Sequence, residues 1–347
     1  MVLIHKTLPR RTGKAAPGSE GAEAKPLPVV AHRLRQILRD DKNLAGQTSA
    51  DLALTAGAAL AGLEFLVRRH EAGAKAGFGV WRQRLALSAA ARTVRAGGRS
   101  EDEAALRDAV LLTRAGDDPG PAGQIAHNWQ RLVTRPVKTL LTREHLALLV
   151  KGFGYAARES RALDELADEL ALLVQSPGLA QSLSGAVIAC ERHGLGQAVG
   201  ALAADLVLAR RLGWDHVVPL LGVQGLARRR MASMARMDGQ PAPASQEDQD
   251  LKDLLVRLAR AALHAHDLAV TLELRAQKLL LAAPKLRARA ALQIVEHLLN
   301  EDGLIATRSV QMNGISERGL RRLFDRLVEL GVVRELTGRP TFRIYGL

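Results

Sequence analysis

Cys190 and His193 are the first side chains with obvious chemical potential. They stand three residues apart in ACERHG, near the end of an apolar helical stretch, so a thiol and an imidazole can share one helix face. A nucleophilic thiol also needs a group that orients the base and a site for the oxyanion, and the sequence shows neither. We therefore interpret Cys190 as a small buried core residue.

Two more segments hold potential metal ligands. His264, His266 and Asp267 lie in HAHD, but residues two apart on a helix do not share a face, which makes a poor chelate. Asp117 and Asp118 precede Pro-Gly in GDDPGPAG, which is ordinary turn chemistry. The sequence thus offers no catalytic, metal or cofactor set, and we expect no enzymatic activity.

A larger group of polar side chains lies near the C-terminal end and is suited to binding an anionic polymer. Ser316 caps a predicted helix whose leading half is rich in arginine, and further arginines occupy the final segment RELTGRPTFRIYGL. Arginine can bind guanine or contact phosphate, and the sequence leaves open which. The predicted DNA-binding residues are Ser316, Arg318, Arg321, Arg322, Arg334, Arg339 and Arg343.

The elements around these residues predict a winged helix-turn-helix over residues 284–347. Residues 286–300 and 304–312 read as two helices, Asn313-Gly314 as a turn, and the helix after Ser316 ends at Gly331. VVREL and TFRIY then read as two strands of a hairpin. The apolar residues of the last helix recur at three- and four-residue steps and should face inward: Ile315, Leu320, Leu323, Phe324, Leu327 and Leu330.

Helical patterns also dominate the preceding chain. We expect a flexible basic N-terminal arm over residues 1–48, with a short amphipathic helix at 31–38, and an all-helical domain over 49–283. This gives an all-α, irregular multi-helix bundle with a C-terminal winged helix. Ser100 and Glu103 have the spacing of a capping box, and residues 215–230 read as a helix. We find no fixed repeat period.

Composition narrows the class of protein. Hydrophobic residues make up 47% of the 347 residues and aromatics 3%, which favours packed helices rich in Leu and Ala. The single cysteine excludes an internal disulfide. The longest apolar run, Leu52 to Val67, contains Glu64 and is shorter than the roughly 20 residues that span a bilayer. We therefore expect a bacterial cytoplasmic protein without a membrane segment.

The net charge of +13 is concentrated at the two ends of the chain. Residues 1–42 contain nine Lys or Arg and four acids, and residues 284–347 contain eleven and seven. The 241 residues between them carry an excess of only four positive charges. This distribution favours a polyanionic partner, although basicity can also serve solubility alone.

Four segments resemble the proteobacterial domain-of-unknown-function family 1403, whose members are often found in alphaproteobacteria and on their plasmids. They are residues 79–123, RRLGWDHVVPLL (210–221), LLAAPKLRARAA (280–291) and residues 321–347. The resemblance covers roughly residues 50–347 and implies no activity and no catalytic residues. The tail also resembles the winged helix of Fic-type proteins, but the H-P-F…G-N-G-R motif of their active site is absent, so AMP transfer is not implied.

Together these patterns predict a DNA-binding protein, a regulator of transcription or of plasmid functions. Its partner would be duplex DNA, and the helical domain could form a homo-oligomer. The alternative is a helical interaction scaffold whose winged helix contacts protein, because a fold does not dictate a function.

Overall fold

Helices make up most of the part of the chain that the structure describes. The computed structural model describes residues 32–39, 41–72, 77–114, 116–155, 160–225, 244–286, 291–306, 316–339 and 341–347. The first helices are α1 (His32–Arg39), α2 (Asp41–Ala45), α3 (Ser49–Glu71), α4 (Phe78–Ala96), α5 (Glu103–Leu112), α6 (Gly120–Thr134) and α7 (Arg143–Gly152). Next come α8 (Ser160–Gln175), α9 (Leu179–Arg192), α10 (Gln197–Leu212), α11 (Leu221–Gln224), α12 (Ala244–Ala282) and α13 (Ala291–Asn300).

The remaining elements form a small C-terminal unit. They are strand β1 (Leu304–Ile305), helix α14 (Glu317–Glu329) and strands β2 (Arg334–Glu335) and β3 (Ile344–Gly346). The strands form one antiparallel sheet in the order β1-β3-β2. Most of the described chain is therefore helical, as the sequence predicts, and the sheet is confined to its end.

The core is built from leucine and alanine. The most extensive helix contacts join α3 to α12, α9 to α10 and α4 to α6. Ala59, Ala89 and Ala90 are fully buried, and small side chains let helix axes approach closely. Trp81 is buried in α4 and its indole N–H donates to the carbonyl of Ala265 in α12 at 2.8 Å, so this tryptophan anchors the core.

Helix α3 is buried on one side only. Leu63 and Leu66 are fully buried, whereas Leu54 is 76% and Phe65 54% exposed. By length and composition this is one helix among the described residues that is long and apolar enough to cross a membrane, and 44% of its apolar window is buried. A core helix of a soluble protein meets the same criteria.

The segment that the sequence assigns to a flexible arm contains two short helices. Residues 1–31 lie outside the described residues. Helix α1 contacts α12: Arg35 pairs with Asp267 through both guanidinium nitrogens at 2.5 and 2.6 Å, and Arg260 donates to the carbonyl of Leu38 at 2.9 Å. The described end of the arm is therefore attached to the helical body.

The predicted capping box at Ser100 and Glu103 is wrong. Asp102 is the N-cap of α5 and accepts the N–H of Ala105 at 2.8 Å, while the carboxylate of Glu103 accepts the hydroxyl of Ser88 at 2.6 Å. Asp102, two positions after Ser100, offers a capping oxygen nearer the helix, and the hydrogen bond with Ser88 takes Glu103 away from the predicted capping role.

The predicted helix over 215–230 is also wrong at its start. Residues 215–220 are not helical, α11 covers Leu221–Gln224, and 226–230 lie outside the described residues. Pro219 disfavours a helix through this segment. The fully buried carboxylate of Asp205 on α10 accepts the N–H groups of Leu220, Leu221 and Gly222 at 2.9 to 3.1 Å.

The pKa of Asp205 reflects these surroundings. Burial raises the pKa of Asp205 to about 7, although the three N–H donors act to lower it. Since the folded-state pKa exceeds the unfolded value of about 4, folding takes up a proton between these pH values. The contribution of Asp205 to stability is therefore full below about pH 4 and is lost as pH rises toward 7.

Replacing Asp205 should test both its role as acceptor of three buried N–H groups and its effect on the pH dependence of stability. Asp205→Ala leaves three buried N–H groups without an acceptor and should lower the free energy of unfolding by about 3 kcal/mol or more. Asp205→Asn should remove the decline in stability between about pH 4 and pH 7. Urea unfolding followed by circular dichroism across this range measures both effects. Asp117→Asn, at an exposed turn, is the control, and parallel pH curves for wild type and Asp205→Asn would contradict the assignment.

Candidate nucleic-acid interface

The strands place the C-terminal end of the chain beside α13. Leu304 pairs with Tyr345 and Arg334 with Gly346, so β3 lies between the other two strands. The predicted helix over 304–312 is wrong at its start, because Leu304 and Ile305 form β1; residues 307–312 lie outside the described residues. Alternation of apolar and polar residues cannot be recognised in a strand of two residues, so β1 has no detectable sequence pattern.

Helix α14 is fixed to this sheet by its apolar face. Ser316 is its N-cap and accepts the N–H of Gly319 at 3.3 Å, as predicted. The predicted inward residues Leu320, Leu323, Phe324 and Leu327 are buried, Leu330 is partly buried against the core, and Ile315 lies outside the described residues. The rings of Phe324 and Tyr345 stack with centroids 4.4 Å apart. This stacking sets the rotation of the helix, and with it the direction of its arginines.

The arginines of α14 face solvent. Arg318, Arg321 and Arg322 are all exposed, together with Arg326 one turn further on. Arg321 pairs with Glu317 and Arg326 with Glu329 at 3.0 Å, along the helix itself. Arg318 and Arg322, four residues apart, make no ion pair or side-chain hydrogen bond with any residue that the structure describes. Adjacent like charges of this kind leave a local positive field.

The arginines of the hairpin are in different situations. Arg343 is exposed and lines the same cavity of about 420 Å³ as Arg321. A hydrogen bond with Tyr345 and the carboxylate of Glu335 raise the pKa of Arg343, so it is charged at physiological pH. Arg339 is half exposed and pairs with Asp108 of α5 at 2.6 Å. Arg339 is thus partly neutralised by the helical body.

Arg334 lies on the other side of the hairpin, next to the body. Its guanidinium is 3.5 Å from the main-chain oxygen of Leu347. Burial lowers the pKa of Arg275 on α12, and the nearby charges of Arg334 and Arg84 lower it further. Arg84 and Arg334 both approach the main-chain oxygen of Leu347, but Arg84 pairs with Asp302, so Arg334 is the one of these two that adds positive charge here.

A buried carboxylate attaches the C-terminal unit to the helical body. Asp302, 5% exposed, stands just before β1 and pairs with Arg84 of α4 and with Arg107 of α5, the latter at 2.5 Å. Arg84 also donates to the main-chain oxygens of Asp302 and Leu347 at 3.3 Å. Sequence reasoning missed these residues, because a single acid and two arginines about 200 positions away carry no local signal.

Close backbone contacts surround this attachment. A Cβ on Gly79 would lie 2.6 Å from the Cα of Asn300, so this glycine lets α4 and α13 approach. A Cβ on Gly346 would lie 2.7 Å from the carbonyl oxygen of Asp302. Both positions therefore require glycine if the unit is to sit where it does.

The remaining candidate residues are not assembled into a reactive site. Cys190 is fully buried, its Sγ is 3.8 Å from the carbonyl oxygen of Val199, and burial raises the pKa of the thiol to about 12. It is therefore a protonated core residue at neutral pH, as predicted. Asp118 accepts the N–H of Gly120 at 2.9 Å within its turn, and Asp117 is exposed.

The HAHD segment is likewise divided between two environments. His264 is exposed and His266 is buried, with both ring nitrogens lacking a hydrogen-bond partner among the described residues. Asp267, whose Oδ1 is 3.6 Å from the imidazole of His266, is occupied by Arg35. Within the described ranges, no three His, Cys, Asp or Glu side chains are grouped in a way that could hold a metal ion.

The geometry defines a mostly helical protein with a small three-stranded unit that presents arginines to solvent. Residues 41–347 match the family described as "Protein of unknown function (DUF1403)". The chain therefore belongs to the DUF1403 family, as its sequence resemblance indicates. No curated protein matches the chain.

Removing the buried carboxylate should loosen the C-terminal unit. Asp302→Asn leaves Arg84 and Arg107 buried without a counter-charge, which should cost about 3–5 kcal/mol. In Asp302→Asn, amide hydrogen exchange in α14 and β3 should be faster than in wild type, and this increase should be larger than any increase in α3 and α12. Glu317→Gln, which breaks an exposed pair with Arg321, should change stability by less than about 1 kcal/mol. Equal exchange rates for Asp302→Asn and wild type would contradict this role.

Proposed function

We propose that this protein binds duplex DNA in the bacterial cytoplasm through its C-terminal unit and acts as a regulator of transcription or of plasmid functions. We assign that unit, residues 284–347, to the winged helix-turn-helix class. The observation that carries the proposal is the position of Arg318 and Arg322: both are exposed, make no ion pair within the described part of the chain, and lie on a capped helix whose opposite face is buried.

The order of the elements supports the winged-helix assignment. Helix α13 is followed by β1, by residues 306–315, by α14, and then by the hairpin of β2 and β3. The sequence predicts the second helix over residues 304–312, and residues 307–315 lie outside the described residues. In this class α14 would be the recognition helix, and one helix fits into the major groove.

The shape and charge of the unit support a polyanionic partner. Residues of β1, α14 and the hairpin line the cavity that contains Arg321 and Arg343, so cations project from both α14 and the hairpin beside one carboxylate of the lining, Asp325. Phe342, 66% exposed with a φ of 55°, stands beside Arg343 on the hairpin. An exposed aromatic ring held in a backbone conformation that is unfavourable for phenylalanine is unusual unless it has a partner to contact.

Arg318 and Arg322 should dominate DNA affinity. In the double variant Arg318→Gln and Arg322→Gln, loss of two phosphate or base contacts should weaken duplex binding by about 30-fold or more. It should also lower the slope of log affinity against log salt by about 2. The matched control is Arg161→Gln with Arg192→Gln, which removes the same charge from exposed positions on α8 and α9. Mobility shifts across a salt series measure both quantities.

The same experiment separates DNA binding from the protein-scaffold alternative. If the wild-type protein shifts no duplex at low salt, or the double variant binds as well as the control, the DNA proposal fails. If the protein is instead a scaffold, the double variant Arg318→Gln and Arg322→Gln should capture less of a protein partner, whether or not DNA is present.

We extend the proposal to a homodimer that meets through the exposed face of α3. Residues 52–63 contain no charged side chain, whereas the chain as a whole carries +13, so this face is one place where two copies can approach without repulsion. Leu54 and Phe65 project from it and Gly57 has open space above it. A dimer would also suit two DNA half-sites.

Charges introduced on α3 should prevent this association. Leu54→Lys with Phe65→Lys should convert a dimer into a monomer, because lysines from both copies would then face each other. Sedimentation velocity measures the change, and Leu172→Lys, at another exposed leucine on α8, is the control. A wild-type monomer at all concentrations would contradict the dimer, and binding to lipid vesicles that the lysines abolish would assign the face to a membrane instead.

A further inference from the structure

A cleft between α6 and α7 lies outside the proposed DNA surface. It has a volume of about 650 Å³, within the range of small-molecule sites. One wall is formed by Gln124, Asn128 and Arg131 of α6 together with Arg135, which directly follows the helix, and the other is formed by α7 with the turn after it. The spacings of four and three residues put Gln124, Asn128 and Arg131 on one face of α6.

The cleft is rich in cations and its lining contains no acidic side chain among the described residues. Arg131, Arg135 and Lys151 line it, and none of the three makes an ion pair or side-chain hydrogen bond with a residue that the structure describes. Arg131 lies in the last turn of α6 and Arg135 is the C-cap residue of that helix, so both positive charges stand at the same end of α6. His127 and His145 add two imidazoles, the second of which is 2.9 Å from the hydroxyl of Thr142.

Apolar side chains from both walls also line the cleft. Leu148, which is 57% exposed, and Leu149 lie on α7, Phe153 directly follows α7, and Ile125 lies on α6. Phe153 packs edge-on against the buried ring of Trp129 with centroids 5.7 Å apart, which holds it in place. A ligand that fills the cleft must therefore combine an anionic group with an apolar or aromatic body.

We propose that this cleft binds a small organic phosphate, a phosphate group carried on an apolar or aromatic body. The planar fork of arginine pairs with two phosphate oxygens at once, so Arg131 and Arg135 suit the dianion on one wall. Lys151 supplies a third cation from α7. Leu148 and Phe153 cover the body of the ligand, and the amide of Asn128, which donates to the carbonyl of Leu149 at 3.3 Å, ties the two walls together.

Titration calorimetry with AMP and phenyl phosphate tests the proposal on the full chain. Both probes should bind saturably at one site, adenosine should not bind, and inorganic phosphate should bind more weakly because it lacks the body. Arg131→Gln with Arg135→Gln should weaken AMP binding by more than about tenfold, since two charge-assisted hydrogen bonds are lost. Leu148→Glu should weaken it as well, by placing a carboxylate opposite the phosphate.

Two controls show whether a loss of AMP binding comes from the cleft itself, rather than from the DNA surface or from unfolding. Arg318→Gln with Arg322→Gln should bind AMP like wild type, because those residues lie on α14. Circular dichroism melting should show that Arg131→Gln with Arg135→Gln stays folded, as expected for exposed side chains. The proposal is overturned if neither probe binds at millimolar concentration, if adenosine binds equally well, or if binding is lost with Arg318 and Arg322 and not with Arg131 and Arg135.

Discussion

The buried ion triad of Asp302, Arg84 and Arg107 is the contact on which the arrangement of the molecule depends. It joins the start of β1 to two helices of the body, and Arg84 also binds the main-chain oxygen of Leu347 at the end of β3. Charges buried in this way are stable only while all partners are present, because each alone would carry a large desolvation cost. The main effect of the triad is therefore to fix the position of the C-terminal unit on the helical body, and its net contribution to the free energy of unfolding is smaller.

Fixing the sheet in turn fixes the direction in which arginines point. Phe324 stacks on Tyr345 of β3, so α14 turns its apolar side to the sheet and Arg318 and Arg322 to solvent. The hairpin receives a second restraint from the pair between Arg339 and Asp108. The body thus holds the C-terminal unit in one orientation and gives the proposed DNA surface a rigid support.

The sequence predicted best where a pattern is local and repeated. The three- and four-residue spacing of Leu320, Phe324 and Leu327 located the buried face of α14, and Ser316 its cap, because both depend on neighbours along one helix. It failed at β1 and at residues 215–220, where distant partners such as Tyr345 and Asp205 decide the structure. Neither the attachment through Asp302 nor the cleft between α6 and α7 has a local signature.

Hydrogen exchange with and without duplex DNA would show whether the C-terminal unit binds DNA while it stays attached to the body. We expect slower exchange in the N-terminal half of α14 and in the hairpin when DNA is added, with unchanged exchange in α4, α5 and α13 around Asp302. Protection confined to other helices, or faster exchange around Asp302 because the C-terminal unit detaches, would contradict this expectation.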